Sequence, residues 1–159
     1  MCRRNTKEGA VTVCFYSTRG PFGCFSNFSA HPVEIDGVTW PTTEHYFQAQ
    51  KFSGTAHAGE IRRARSPMVA ARMGRSRQRP LRKDWESVKD EIMRRAVLAK
   101  IRQHQEVREL LLGTGEEVLV EDTTTDQYWG CGSDGKGRNR LGQILMEVRD
   151  LLRGEALKA

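Results

Sequence analysis

The 159-residue sequence predicts an α+β fold, a helix-rich single domain with a small β-sheet. Short runs of β-branched and aromatic residues predict strands, whereas longer segments carry apolar residues at spacings of three and four, the period of a helix. The sequence contains no internal repeat and no linker. We therefore expect one domain over residues 11–153, between a flexible N-terminal tail (1–10) and a C-terminal tail (154–159).

Four strands are predicted from these runs. The segments 11–16 and 118–121 are rich in valine and other strand-forming residues. The segments 33–35 and 38–40 flank Asp36-Gly37, a dipeptide that favours the tight turn of a β-hairpin.

Six helices are predicted from apolar periodicity and from capping residues. Ser66 and Pro67 begin one of them, because serine caps a helix and proline suits its first position. The longest is predicted to start after Asp84 as its cap. The first predicted helix begins at Thr42 or Thr43 and ends at Ser53-Gly54. The second covers residues 58–65, and the third begins at Ser66 and ends at Gly74. The fourth extends from Trp85 to about Gln103, the fifth covers 106–112 and the sixth covers 141–152.

The first predicted helix carries an unusual polar face. Glu44, Phe47, Gln48 and Lys51 share this face, because they are three or four residues apart. Glu44 falls in the first turn, where the helix dipole favours an ionised carboxylate. Two interpretations follow: a capped helix with its charges in water, which spacing alone favours, or the wall of a polar pocket.

Charge and composition restrict the classes of partner. Lysine and arginine exceed aspartate and glutamate by 26 − 20 = +6, which favours an anionic partner without identifying it. The four cysteines and four histidines show no metal-ligand spacing, so we expect no metal and reduced thiols. No apolar run has transmembrane length and no signal-peptide core is present, which predicts a cytoplasmic protein without a membrane partner.

Two loops are candidates for binding an anion. The irregular segment 122–140 contains two glycine patterns that resemble nucleotide-binding motifs, but neither lies directly between a strand and a helix, and Gly137 stands where a phosphate loop needs serine or threonine. Its free N–H groups, with Lys136 and Arg138, can still cradle an anion. The segment 75–83 holds five cations and is either a phosphate or nucleic-acid contact or, as composition favours, a solvated basic loop.

Two carboxylates lie among aromatic and amide residues. Glu44 and Asp126 suit cleavage of a bond at a sugar anomeric carbon, where one acid stabilises an oxocarbenium-like cation and the other moves a proton. Cys24, in a glycine-rich loop, stays an alternative nucleophile. The rings of Phe25 and Phe28 are either core anchors, which their residue type favours, or a sandwich for a flat ligand.

Several longer motifs, in order along the chain, resemble the YbiA-like (NADAR) family. The resemblance covers about residues 13–152. The blocks that carry it are Phe15-Tyr-Ser, Phe25-Ser-Asn-Phe28, Trp40-Pro-Thr-Thr-Glu-His-Tyr-Phe-Gln-Ala-Gln-Lys51, Ser66-Pro-Met-Val-Ala-Ala-Arg-Met-Gly74, Pro80-Leu-Arg-Lys-Asp-Trp85, Tyr128-Trp-Gly-x-Gly132 and Gly135-Lys-Gly-x-Asn-x-Leu-Gly142.

The resemblance implies a set of site residues. It places the catalytic role on Glu44 and Asp126, together with Trp85. It makes the Phe25 and Phe28 pair a ligand contact rather than core. The other residues that it implies in substrate binding are Asn27, Lys51, Trp129 and Asn139, and Lys136 lies in a matching block.

The resemblance also implies a reaction. The expected activity is hydrolysis of the C–N glycosidic bond of phosphoribosylaminopyrimidine intermediates of riboflavin biosynthesis, without a cofactor, on a phosphorylated N-ribosyl substrate. Two alternatives remain open: an ADP-ribosyl glycohydrolase acting on ADP-ribosylated guanine in nucleotides or DNA, the only case with a nucleic-acid partner, and a non-catalytic ADP-ribose-binding sensor. The sequence gives no indication of oligomeric state.

Overall fold

A computed structural model describes residues 11–159, so the predicted flexible tail 1–10 lies outside the described residues. It confirms a helix-rich α+β architecture, and the described strands form two small sheets where the sequence predicted one. The described chain divides into two compact units, residues 11–26 with 104–159 and residues 27–103. The strands are β1 (Thr12–Phe15), β2 (Val33–Ile35), β3 (Val38–Trp40) and β4 (Val118–Glu121), and the helices are α1 (Thr43–Gln50), α2 (Ala56–Arg62), α3 (Pro67–Arg75), α4 (Trp85–Gln103), α5 (Gln105–Gly113) and α6 (Arg140–Lys158).

The unit formed by residues 27–103 begins with the predicted hairpin. β2 and β3 pair antiparallel, with Val33 opposite Trp40 and Ile35 opposite Val38. Asp36 and Gly37 have φ angles of 54° and 73°, as a tight hairpin turn requires at its two central positions. The inward side chains of the hairpin join an apolar cluster with residues of α1, α2, α3 and α4.

Helix α1 is the central element of this unit. It begins where the sequence indicates, because the Thr42 hydroxyl accepts a hydrogen bond from the backbone N–H of His45 at 3.2 Å. α1 contacts α2, α3 and α4. Seven of its eight residues are therefore buried, including polar ones.

The other unit pairs two strands that are distant in sequence. β1 and β4 run parallel, with Val13 opposite Leu119. α6 contacts both β4 and α5 and buries one apolar face, as its periodicity predicts. The buried guanidinium of Arg149 on α6 donates hydrogen bonds to the Thr114 hydroxyl and the Glu117 carbonyl, both at 2.8 Å, which fixes the chain between α5 and β4.

Most helix starts and ends agree with the predictions within a few residues, and the exceptions have local causes. α6 continues six residues past its predicted end at Leu152, through most of the segment predicted as a C-terminal tail (154–159), because that segment is rich in helix-forming residues. α3 continues through Gly74 to Arg75. The Asp84 carboxylate, predicted to cap α4, binds the Arg82 guanidinium at 2.6 and 2.8 Å.

Two expectations concern the surroundings of the chain. None of the helices in the part of the chain that the structure describes has the length and apolar character needed to cross a membrane. Cys14, Cys24 and Cys131 are not joined in a disulfide, and Cys2 lies outside the described residues.

Candidate active site

Glu44 occupies the first turn of α1 and is almost completely buried. Its backbone N–H donates to the Asn27 carbonyl at 3.2 Å, and its side chain is 6% exposed. It is the only acidic residue within residues 11–159 that is buried. Burial of an ionised carboxylate is costly unless polar groups face it, so its surroundings have to supply donors.

Gln48 supplies one of these donors. Its Nε2 donates a 2.7 Å hydrogen bond to Glu44 Oε1 from one turn further along α1. Glu44, Gln48 and Lys51 are 6%, 3% and 7% exposed. The shared face predicted from their spacing is thus confirmed, and the interpretation that its charges lie in water is wrong because α2, α3 and α4 surround α1.

Lys51 is a buried amine beside two aromatic rings. Its Nζ lies 5.6 Å from the ring centroids of both Phe47 and Trp85 and 3.5 Å from the Gly74 carbonyl oxygen. The pKa of Lys51 is lowered from 10.5 to about 8, mainly by burial. The positive charge of Arg77 contributes to this shift, and the negative charge of Glu44 opposes it. Lys51 is therefore close to the midpoint of its titration just above neutral pH.

Trp85 covers the aromatic side of this cluster. It begins α4, is 5% exposed, and its ring lies 5.1 Å from the Phe47 ring at an interplanar angle of 60°. Its burial at the start of α4 agrees with a place in the core. Its proposed contact with a ligand stays a prediction.

Asn27 supports the start of α1. Its Oδ1 accepts a hydrogen bond from the Thr43 hydroxyl at 2.9 Å, and its Nδ2 lies 3.3 Å from Met93 Sδ. Since Asn27 is 8% exposed, its side chain positions the turn that carries Glu44. Phe28, the next residue, is half-buried. Substrate contact by either residue stays a prediction.

In the other unit, Asp126 caps a turn. Its Oδ1 accepts hydrogen bonds from the backbone N–H groups of Tyr128 at 2.9 Å and Trp129 at 2.7 Å. Aspartate commonly makes such turns. Because both bonds go to Oδ1, the turn does not depend on Oδ2.

Trp129 and its neighbours form a half-buried aromatic group. The Tyr128 and Trp129 rings pack edge to face with centroids 4.9 Å apart, and the Arg138 guanidinium lies 5.5 Å from the Tyr128 centroid. Arg138 therefore has an aromatic partner, whereas Lys136 is exposed. Substrate contact by Trp129 and Lys136 stays a prediction.

Several backbone N–H groups of the glycine-rich loop bind acceptors within the segment 122–140. The N–H groups of Gly135, Gly137 and Arg138 donate to the carbonyls of Gly132, Cys131 and Gln127. The N–H of Lys136 donates to the Asp134 carboxylate at 3.0 Å. These four donors are therefore not available to an anion, because the loop uses them to hold its own shape. The predicted anion cradle otherwise stays a prediction.

Asn139 joins this loop to β4. It has a left-handed backbone with φ 49°, its Oδ1 accepts from the Glu121 N–H at 2.9 Å and its Nδ2 donates to the Leu119 carbonyl at 2.8 Å. The amide thus completes hydrogen bonds of β4 just before α6 begins. Its predicted substrate contact is not needed to explain its position and stays a prediction.

Phe25 is part of a buried aromatic cluster. Its side chain is 1% exposed, and its ring lies 5.8 Å from the rings of both Phe15 and Phe22. A ring enclosed in this way has no face available for a ligand. The expectation that Phe25 stacks on a flat substrate is corrected to the core-anchor interpretation.

The basic loop at residues 75–83 is bound largely to the protein itself. Arg77 donates to the Gly74 carbonyl at 2.9 Å, which satisfies an acceptor at the end of α3. Arg79 pairs with Glu60 at 2.7 Å, and Arg82 pairs with Asp84. Three of the five cations therefore have structural partners, which favours neither a phosphate site nor a nucleic-acid contact for them.

The residues that sequence reasoning left unassigned are Gln48 and Gly74. Gln48 shares the face of Glu44, and its spacing of four residues was the available signal. Gly74 is buried, and a Cβ added to it would lie 2.0 Å from Gln48 Oε1. No sequence signal indicates this contact, since it joins α1 to α3.

The described residues 27–103 thus place a carboxylate, an amide, an amine of low pKa and two aromatic rings in one buried cluster. A held carboxylate can stabilise a developing positive charge, and an amine that titrates near neutrality can bind an anion or exchange a proton. These are the requirements of a reaction that passes through a sugar cation.

Comparison with known proteins agrees with this chemistry. Residues 14–153 match the NADAR domain. The chain is 61% identical over 138 residues to N-glycosidase YbiA of Escherichia coli K12, covering 87% of this chain and 86% of the relative. It is 49% identical over 146 residues to N-glycosidase Npun_R5314 of Nostoc punctiforme, covering 90% and 94%.

Two further comparisons extend the match. The NMR structure of the E. coli protein YbiA superposes with a TM-score of 0.87 at 55% identity, covering 100% of this chain and 97% of that one. The chain is also 42% identical over 157 residues to the chloroplastic riboflavin biosynthesis protein PYRR of Zea mays, covering 89% of this chain and 25% of the relative.

The fold and these matches define a hydrolase that acts on N-glycosyl bonds. The chain belongs to the NADAR domain family.

Proposed function

We propose that the protein hydrolyses the C–N glycosidic bond of a phosphoribosylaminopyrimidine intermediate of riboflavin biosynthesis, releasing ribose 5-phosphate and an aminopyrimidine. The observation that carries the proposal is the buried Glu44 carboxylate, held by Gln48 beside Lys51. The names of relatives as N-glycosidases and, in maize, as a riboflavin biosynthesis protein support the substrate class.

Glu44 stabilises the sugar cation in this proposal. As the bond from C1′ to the base nitrogen breaks, the electron pair leaves with the base and positive charge develops on the ribosyl ring. A carboxylate that is already oriented lowers the energy of that charge without reorganising during the reaction. Glu44 meets this condition, because it is buried and its Oε1 is held at 2.7 Å by Gln48.

Lys51 binds the anionic part of the substrate in this proposal. An ammonium group in a site of low polarity attracts phosphate more strongly than one in water. With a pKa of about 8, Lys51 is mostly protonated at neutral pH and loses its charge as the pH rises through that value. Trp85, beside it, offers an aromatic surface for the flat base.

Asp126 is the predicted general acid or base, and this role rests on the family resemblance. The reaction needs one proton delivered to the departing base nitrogen and one removed from the attacking water, whose oxygen forms the new bond to C1′. A single carboxyl that changes its protonation state during the cycle can serve both steps.

A cytoplasmic location of the protein stays a prediction from the sequence.

Direct assay of purified protein tests the proposal. The phosphoribosylaminopyrimidine and an ADP-ribosylated guanine nucleotide are supplied separately, and the released sugar and base are followed by chromatography. We expect ribose 5-phosphate from the first substrate with the higher kcat/KM, equally with and without a metal chelator. Preferred turnover of the second substrate would replace the proposal by the ADP-ribosyl alternative, and tight binding of ADP-ribose without turnover of either would favour the sensor.

A further inference from the structure

The amide of Gln48 has one end engaged and the other without a hydrogen bond. Nε2 donates to Glu44 Oε1 at 2.7 Å. Oε1 is buried and has no hydrogen-bond partner among the residues that the structure describes. The orientation of the amide follows from chemistry, because an ionised carboxylate offers only acceptors and therefore faces the NH₂ group.

A buried acceptor without a partner is unfavourable for stability. An apolar side chain of similar length, such as methionine, would fill the same space without leaving a polar atom unsatisfied. Gln48 is 3% exposed, so its Oε1 is shielded from bulk water. The contact that distinguishes glutamine from methionine at this position is the hydrogen bond to Glu44.

Gly74 allows the amide to lie where it does. A Cβ added at Gly74 would stand 2.0 Å from Gln48 Oε1 and 2.7 Å from its Cδ, so the amide lies directly against the Gly74 backbone. The carbonyl of Gly74 also accepts from Lys51 Nζ at 3.5 Å. The last turn of α3 therefore contacts both Gln48 and Lys51.

We propose that Gln48 is a positioning residue for the glycosidase reaction: it orients the Glu44 carboxylate and keeps it ionised. The amide of Gln48 fits in this position because Gly74 has no side chain. This inference rests on the proposed role of Glu44. Gln48 itself does not touch the substrate, because its oxygen is buried against Gly74 and its nitrogen is bonded to Glu44.

Gln48→Met tests the proposal, with Gln50→Met as the matched control on the same helix. Gln48→Met removes both the Nε2 donor to Glu44 and the Oε1 acceptor that lacks a hydrogen-bond partner. We expect kcat to fall on the order of 10–100-fold, as displacement of a reacting group does, with a smaller change in KM and no loss of Tm. The acidic limb of the kcat/KM profile should move to higher pH, because a hydrogen bond to a carboxylate favours its charged form. The control should change none of these.

A double-variant cycle separates positioning from structure. Because Gln48 acts through Glu44, the pair Glu44→Gln and Gln48→Met should be no slower than Glu44→Gln alone. If Gln48→Met lowers Tm and rate together, leaves the pH limb in place and adds its full loss in the double variant, Gln48 is structural and the inference is wrong.

The same measurements distinguish this failure from failure of the proposed function. Near-normal turnover by Glu44→Gln removes the catalytic role of Glu44, and the positioning role falls with it. Loss of turnover by Glu44→Gln together with a normal rate and pH limb in Gln48→Met overturns the positioning role alone. Gln48→Asn, which keeps an amide but is one methylene too short, gives the same test if the methionine variant does not fold.

Discussion

Lys51 Nζ lies 5.6 Å from the centroid of the Trp85 ring. The amine is buried in this position, and the charges of Arg77 and Glu44 still act on it. The aromatic face attracts the ammonium form, whereas burial disfavours it. Burial is the larger effect, and the pKa of Lys51 is about 8. This balance lets pH act on the proposed site through Lys51.

Substrate affinity should therefore depend on pH through Lys51. The ammonium form prevails below about pH 8 and is lost as the pH rises through that value, so KM for a phosphorylated substrate should rise above pH 8. Lys51→Arg keeps its charge over this range and should abolish that rise. Steady-state kinetics from pH 6 to about pH 10 measure the effect, with the exposed Lys83→Arg as control. A KM profile unaltered by Lys51→Arg would show that Lys51 does not bind the anion.

Lys51 should also make the stability of the folded protein depend on pH. The pKa of Lys51 is lower in the folded chain than its ordinary value of 10.5, so between these two values the unfolded chain binds more protons. Burial of Lys51 therefore destabilises the fold below about pH 8, and this cost is relieved as the pH rises toward 10.5. Lys51→Met should flatten that part of the dependence of Tm on pH.

Glu44→Gln should remove the negative charge of the side chain and keep its shape. The oxygen of the new amide can still accept the hydrogen bond of Gln48, so the Tm should barely move. Turnover should fall on the order of 10²-fold or more, because an oriented charge at the transition state is lost. Thermal denaturation and kcat at pH 7 measure the two effects; a variant with near-normal kcat contradicts the role assigned to Glu44.

Trp85→Phe tests whether the ring contributes to the reaction or only to the core. Phenylalanine keeps an aromatic contact with Phe47 and Lys51, so folding should survive, while stacking on a flat base weakens and kcat/KM falls roughly 10-fold. Trp40→Phe is the control, since Trp40 is also buried but packs in the hairpin core against Tyr46. Equal kinetic effects of the two substitutions would make Trp85 a packing residue.

Asp126→Asn distinguishes a proton-transfer role of Asp126 from its role as a turn cap. Asparagine retains the Oδ1 acceptor that receives both backbone N–H groups, so the Tm should be unchanged. If Asp126 transfers protons, kcat/KM should fall roughly 10²–10⁴-fold and one limb of its pH profile should disappear. Asp126→Ala, which also loses the cap, shows the size of the structural effect. An unaltered pH profile in the asparagine variant removes Asp126 from the chemistry.

Gly74→Ala should be far more costly than alanine at another helical glycine. A Cβ at Gly74 would also stand 2.8 Å from Gln48 Cβ, so α1 and α3 must move apart, and overpacking of this kind costs about 1–3 kcal/mol. Gly154, within α6, has no atom within 4 Å of an added Cβ, and alanine there should stabilise by about 0.5–1 kcal/mol. Urea denaturation of the two variants compares them; equal stability would show that α1 and α3 approach less closely than described.

The local elements and the composition of the site face follow from short stretches of the sequence. Thr42 and Ser66 begin their helices because capping depends on groups within four residues. The hairpin turn at Asp36-Gly37 and the shared face of Glu44 and Lys51 likewise follow from short-range geometry. The resemblance of the longer motifs added the family, which the comparisons confirm.

The surroundings of these elements depend on contacts between residues that are far apart in the chain. The face of α1 is buried because α2, α3 and α4 enclose it, and spacing alone does not distinguish a buried polar face from a solvated one. The contact of Gly74 with Gln48, the enclosure of Phe25 and the internal partners of the glycine-rich loop join residues far apart in sequence. Their geometry depends on packing between elements, and so does the low pKa of Lys51, which exists only where the folded chain excludes water.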